Sequence, residues 1–206
     1  MNYLSKYLIE EASAISSSAK NLDDREVSKA LDLLDNCYKY KLKLIVSGVG
    51  KSGIVARKIA ATFSSVGLTS IYLNPLDALH GDIGMVNKND LCILLSNSGE
   101  TSELIEIIPH LKSRQTKCIS LTGNINSTLA KESDVFLCTK VEKEICPLNL
   151  APTASTTASM AIGDALASAW MNRNNVSLAE FAFNHPGGSL GRKLTITVED
   201  LSLIHI

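Results

Sequence analysis

The stretch "LIVSGVGKSG" (residues 44–53) decides the fold class. It begins as an apolar, β-branched run and ends in a glycine turn. Beyond the turn, "KSGIVARKIAATFSSVG" (51–67) has helical spacing and closes on Gly67, and "SIYLN" (70–74) follows as a second strand. Strand, turn, helix and strand make one β–α–β unit. The first strand is thus "KLIVS" (43–47), and reading outward "LCILLS" (91–96), "KCISLT" (117–122) and "DVFLC" (134–138) are three further short apolar runs. Helical patterns separate them at "TSELIEIIPHLKSR" (101–114) and, briefly, at "STLAKES" (127–133). Continuous apolar strands joined by crossover helices imply a parallel sheet covered on both faces. The expectation is an α/β, doubly wound, three-layer αβα sandwich around a five-stranded parallel sheet.

The chain has 206 residues, enough for one domain with a sizeable core. Its first 38 residues read as two leading helices, with apolar Leu4, Leu8, Ala12 and Ile15 at helical spacing in the first. "APTASTTASMAIGDALASAWMNR" (151–173) reads as one long helix with Pro152 in its first turn. Its recurring Ala154, Ala158, Ala161, Ala165 and Ala169 suit close helix packing, within the domain or between subunits. Lysine plus arginine (20) balances aspartate plus glutamate (21), so no basic field is present to hold nucleic acid. Glu10 and Glu11 stand where a signal peptide needs an apolar run, and no stretch approaches the roughly 20 apolar residues of a membrane span. A cytoplasmic protein is expected. Five cysteines, an odd number without C-x-x-C spacing, read as free thiols that mostly pack, Cys146 included.

The glycine turn nearly fits two nucleotide fingerprints. A Walker A loop needs a leading glycine at position 45, which is Ile45. The dinucleotide pattern G-x-G-x-x-G is met by Gly48, Gly50 and Gly53, but the acidic ribose contact about 20 residues on is missing. The strand expected to carry it ends in Asn74. "LLSNSGETSEL" (94–104) is a second strand-to-helix turn, rich in hydroxyls at Ser96, Ser98, Thr101 and Ser102. Backbone N–H groups and the dipole at a helix start favour an anion, and hydroxyls add donors without charge. Together with Lys51, this reads as a cradle for one phosphate monoester.

The turn of Ser96, Ser98, Gly99 and Thr101 resembles the S-x-S-G-x-T turn of sugar-isomerase (SIS) domains, which bind phosphosugars. "GVGKSG", "ALHGDIGMV", "SNSGETSE", "CPLNLAPTASTTA" and "NHPGGSLGRKL" extend the likeness, from about residue 40 to 194, to the D-arabinose 5-phosphate isomerase family. The resemblance implies a single SIS domain over residues 1–206. It also implies interconversion of D-ribulose 5-phosphate and D-arabinose 5-phosphate, which feeds synthesis of the eight-carbon acid Kdo for lipopolysaccharide or capsule. Many members continue into a pair of CBS domains; residues 195–206 are the tail where that region would begin, so CBS-dependent regulation is not expected.

An aldose–ketose isomerase needs a base for the carbon-bound proton, an acid–base partner for the oxygens and a hold on the phosphate. By resemblance, Lys51, Glu103, Glu144 and His185 are the catalytic positions. His185 and Glu144 are assigned as acid–base candidates, Lys51 as electrostatic partner of phosphate or oxyanion, and Glu103 as orienter of the loop. The same likeness assigns substrate contact to Ser47, Gly50, Ser52, Asp77, His80, Ser96, Asn97, Ser98, Gly99 and Thr101. No cofactor is required; a divalent metal such as zinc, if bound, would reach His80 and inhibit rather than catalyse. His110 and His205 read as inert. The expected partners are a pentose phosphate and further copies of the chain, in a homotetramer. A rival reading, a sugar-phosphate sensor without catalysis, gives no use for Lys51, Glu144 and His185 together.

Overall fold

The computed structural model describes residues 2–186. The tail at 195–206, and the loop 184–194 beyond Pro186, lie outside the described residues. Two helices lead, α1 (Tyr3–Lys20) and α2 (Asp24–Lys39). Then come β1 (Leu44–Gly48), α3 (Gly50–Ser65), β2 (Ser70–Leu73) and a short α4 (Pro75–Leu79). After a 3-10 turn at Asp82–Met85 follow β3 (Leu91–Leu95), α5 (Ser102–Ser113), β4 (Lys117–Thr122), α6 (Thr128–Glu132) and β5 (Val135–Cys138). Helices α7 (Ala154–Arg173) and α8 (Leu178–Phe183) complete the described chain.

The five strands pair in the order β2-β1-β3-β4-β5, all parallel. All five residues of β1 and of β3 are buried, because helices cover both faces of the sheet. Alternate strand residues divide the core. Leu44, Val46, Ile93, Leu95 and Leu121 pack with α2, α3 and α7. Ile45, Cys92, Leu94 and Cys118 pack on the other face with Leu104, Ile107, Ile108 and Leu111 of α5, whose spacing makes one apolar helix stripe. The expected doubly wound sandwich is therefore the observed one.

Three local expectations change. The long helix begins at Ala154, so Pro152 precedes its first turn. Its buried stripe is Ala154, Ala158, Ile162, Gly163, Leu166, Ala167 and Trp170, whereas Ala165 is exposed. At Gly163 a Cβ would stand 2.4 Å from Ile59 Cδ1, so glycine is what lets α3 and α7 meet. The apolar positions Leu4 and Leu8 of α1 do not face the body; they are 69% and 61% exposed. Helices α4 and α8 are additions to the expected set, although "SLAE" at 177–180 carries a readable signal: Ser177 and Glu180 form a capping box. Among the described residues no helix is long and apolar enough to cross a membrane.

Candidate active site at the carboxyl ends of β1 and β3

The strand order reverses between β1 and β3. From β1 the chain crosses through α3 to β2 on one side, and from β3 through α5 to β4 on the other. Ligands of open α/β sheets sit in the crevice that this divergence opens beyond the strand carboxyl ends. Gly48 pairs with Leu95, so the two strands end level and their following turns stand side by side. These are the turns singled out in the sequence.

The first turn is compact because its glycines admit close approach. A Cβ at Gly48 would lie 2.9 Å from the Ser52 carbonyl oxygen, and Gly50 takes φ +58°. Lys51 occupies the first turn of α3, is exposed, and makes no ion pair among the described residues. Ser52 beside it is half-buried. Ser47 departs from its assigned role. It is fully buried and its hydroxyl donates to the Leu73 carbonyl at 2.7 Å, so it ties β1 to β2 instead of facing the crevice.

The second turn is a hydroxyl web. Ser96, only 3% exposed, accepts the Gly99 N–H at 3.0 Å and lies 2.7 Å from the Thr101 hydroxyl. It is an inner strut of the turn, not the open phosphate donor expected from the sequence. Ser98 is exposed and accepts the Glu100 N–H at 3.2 Å. Thr101 precedes α5 without a side-chain cap, leaving the helix amino end to other acceptors. Gly99 has φ +71°, and a Cβ there would meet Ser127 Oγ at 2.1 Å. Asn97 is exposed, and its carbonyl accepts the Gly123 N–H at 3.0 Å. Glu100, not singled out in the sequence, accepts the Thr128 N–H at 2.8 Å and so ties this turn to the start of α6.

Glu103, Asp77 and His80 lie at the same carboxyl edge of the sheet as these turns. Glu103 is in the first turn of α5. Its own backbone N–H and then the Ser102 hydroxyl, which donates at 2.9 Å, hold its carboxyl below the ordinary value. Asp77 lies in α4 and His80 just after it, both exposed, at the carboxyl end of β2. No group of three or more His, Cys, Asp or Glu side chains suited to a metal ion occurs among the described residues.

Glu144 lies in the loop between β5 and α7. It accepts the N–H groups of Thr153 at 2.8 Å and Ser155 at 3.2 Å, the Thr153 hydroxyl at 3.1 Å, and the Ser155 hydroxyl. Burial pushes its carboxyl up, but the donors of Ser155 and Thr153 outweigh that and leave it below the ordinary value. It caps the amino end of α7 as an anion. In the same loop Cys146 is half-buried. Its sulfur accepts the N–H groups of Leu150 and Ala151, each at 3.1 Å, so it fastens a loop and does not pack in the core.

His185 is not beside Lys51. It follows α8, and the preceding Asn184 stands 3.5 Å from where a Cβ of Gly67 would be, near the amino end of β2. That is the opposite end of the sheet from the two turns. The ring stacks on Phe181 with centroids 4.0 Å apart, and Nδ1 lies 2.7 Å from the Phe181 carbonyl. A carbonyl only accepts, so Nδ1 donates to it, and in the uncharged tautomer that allows this the lone pair stands on Nε2.

The SIS domain family model matches residues 38–169. The chain is 47% identical over 194 residues to an arabinose 5-phosphate isomerase KpsF of Escherichia coli O6:H1, covering 94% of this chain and 58% of that relative. It is 46% identical over 182 residues to an arabinose 5-phosphate isomerase KdsD of Francisella tularensis, covering 88% and 56%. The chain thus spans little more than half the length of these curated relatives. A solved E. coli CFT073 protein in complex with arabinose 5-phosphate superposes with a TM-score of 0.79 at 37% identity, over 90% of this chain and 100% of that one. On the family match and the shared fold together, the chain belongs to the SIS domain family.

Proposed function

We propose that the chain interconverts D-ribulose 5-phosphate and D-arabinose 5-phosphate through an enediol. The observation that carries this reading is the meeting of two groups across one switch-point crevice: Lys51, without an ion pair among the described residues, and the uncapped amino end of α5. A lysine and a helix amino end suit a dianionic phosphate, and a phosphate anchored there leaves the sugar carbons to neighbouring groups. The names of the isomerase relatives and the arabinose 5-phosphate bound to the solved neighbour support the choice of sugar. The product would feed Kdo synthesis in the cytoplasm.

In this reading the acid–base group is supplied from a second copy. His185 is too far round the fold to serve the turns of its own chain, yet its tautomer leaves Nε2 ready to take a proton. A homotetramer is the expected assembly, and the exposed Leu4, Leu8, Leu148 and Leu150 offer apolar surface for it. Lys51 steadies the developing oxyanion or the phosphate, and Glu103 orients the second turn. Glu144 serves the chemistry from the α7 amino end. No cofactor takes part, and zinc at His80 would inhibit.

Incubation with a panel of ketose phosphates, with products separated and identified, tests the assignment. Aldose formed from D-ribulose 5-phosphate in preference to the other ketoses is the expected result; conversion of a different ketose alone would reassign the substrate.

A further inference from the structure

We propose that Tyr72 is a positioning residue of the site: by holding the Gly48 carbonyl it sets the first turn of α3 and so the place of Lys51. The proposal rests on the reading of that turn as one wall of a phosphate site. Tyr72 is the penultimate residue of β2, in register with Val46 of β1. Its hydroxyl donates to the Gly48 carbonyl oxygen at 2.9 Å. Gly53 closes the same knot. A Cβ on Gly53 would stand 2.8 Å from the Gly48 oxygen and 3.1 Å from the Tyr72 hydroxyl. The third glycine of the G-x-G-x-x-G pattern is therefore spared a side chain for a tyrosine and a carbonyl of its own chain. No dinucleotide is needed to explain it.

The helix being positioned also grips the ring. Arg57 lies one helical turn beyond Gly53, on the same face, with its guanidinium 3.9 Å from the Tyr72 ring centroid. Burial above all, opposed by Arg57, holds the phenol above its ordinary value, so it is a donor at neutral pH. Tyr72 thus touches α3 at the Gly48–Gly53 knot and again through Arg57. Lys51 stands between Gly48 and Gly53, so any rotation of the knot moves its ammonium group relative to the second turn.

Calorimetric titration with inorganic phosphate and with D-arabinose 5-phosphate tests this on the full chain. Four proteins are compared: wild type, Tyr72→Phe, Lys51→Ala and the double variant. Phenylalanine keeps the ring and removes the one hydroxyl donor. Tyr72→Phe should leave the thermal midpoint little changed and weaken both ligands by about 5-fold. In the Lys51→Ala background the same change should cost less than about 2-fold, because the residue acts through the lysine. Unchanged affinity, or an equal loss in both backgrounds, overturns the proposal. Should Tyr72→Phe lower the midpoint markedly, the exposed Arg57→Gln decides: it should weaken binding in the wild-type background alone, and no effect counts against the proposal. A wild type that binds neither ligand defeats the phosphate-site reading and this proposal together. Wild-type binding that is indifferent to Tyr72 defeats this proposal alone.

Discussion

Lys51 and His185 stand at opposite ends of one sheet: the lysine follows the carboxyl end of β1, and the histidine follows α8 near the amino end of β2. If both serve one reaction, they come from different copies of the chain. Protomers carrying Lys51→Ala and protomers carrying His185→Ala should each be nearly inactive alone. Mixed under conditions that allow subunit exchange, they should recover a measurable fraction of wild-type turnover. Full inactivity of a mixture whose exchange is confirmed by mass would place the two residues in one copy's site.

The turn after β3 has no room for a side chain at Gly99. Alanine there meets a φ of +71° and a Cβ overlapping Ser127 Oγ at 2.1 Å and Thr122 Oγ1 at 2.8 Å. Gly99→Ala should therefore destabilise by more than about 1 kcal/mol. Phosphate affinity should fall with it, since the N–H that Ser96 holds belongs to the displaced residue. Thermal denaturation and phosphate titration of the variant measure the two effects.

The joint between α3 and α7 gives a stability prediction remote from the ligand. Gly163→Ala drives a methyl against Ile59 Cδ1 and Cγ1, at 2.4 and 2.5 Å in the unrelaxed geometry. Overpacking of this kind costs roughly 1–3 kcal/mol. Adding Ile59→Ala removes the obstructing atoms, so the double variant should be more stable than the sum of the single losses implies. Denaturant midpoints of the four proteins give the coupling; strict additivity would mean that the helices do not meet at this point.

Glu144 gives a pH prediction whose sign follows from its depressed carboxyl. A carboxylate stabilised in the folded state contributes stability above its unfolded value, near 4.5, and loses it as the pH falls through the folded value. Glu144→Gln should therefore be less stable than wild type at neutral pH. The difference should shrink on acidification below about 4.5. Melting of both proteins across that range checks it; a gap that stays constant would mean that the α7 cap does not depend on the charge.

The sheet was legible because β1 and β3 are buried on both faces, and a doubly covered strand writes itself as an unbroken apolar run. The two turns were legible for a related reason: glycine and hydroxyl residues interrupt that run where the backbone must bend and bind. What the sequence hid is pairwise. Nothing in "SIYL" says that the Tyr72 hydroxyl reaches Gly48, 24 residues away. Ser47 and Ser96 read as ligand hydroxyls because burial cannot be told from a serine's identity, yet both are spent inside the fold. Glu144 was an acid–base candidate by resemblance alone, beside a helix whose start was placed at 151; with the helix beginning at Ala154, the carboxylate falls onto its first N–H groups. The leading helix was legible but not its surroundings: Leu4 and Leu8 have the spacing of a buried stripe, yet among the described residues nothing covers them.

The central claim is chemical, and one reaction in D₂O tests it. An enediol requires the carbon-bound proton to pass through a base, and a base in contact with solvent exchanges it before returning it. D-ribulose 5-phosphate incubated with the purified protein in D₂O should yield D-arabinose 5-phosphate carrying deuterium at C2, as read by NMR and mass. His185→Ala should slow that conversion by on the order of 10²-fold while phosphate binding persists. A wild-type protein that binds the sugar phosphate and returns it unchanged, with neither aldose nor label, would contradict the account.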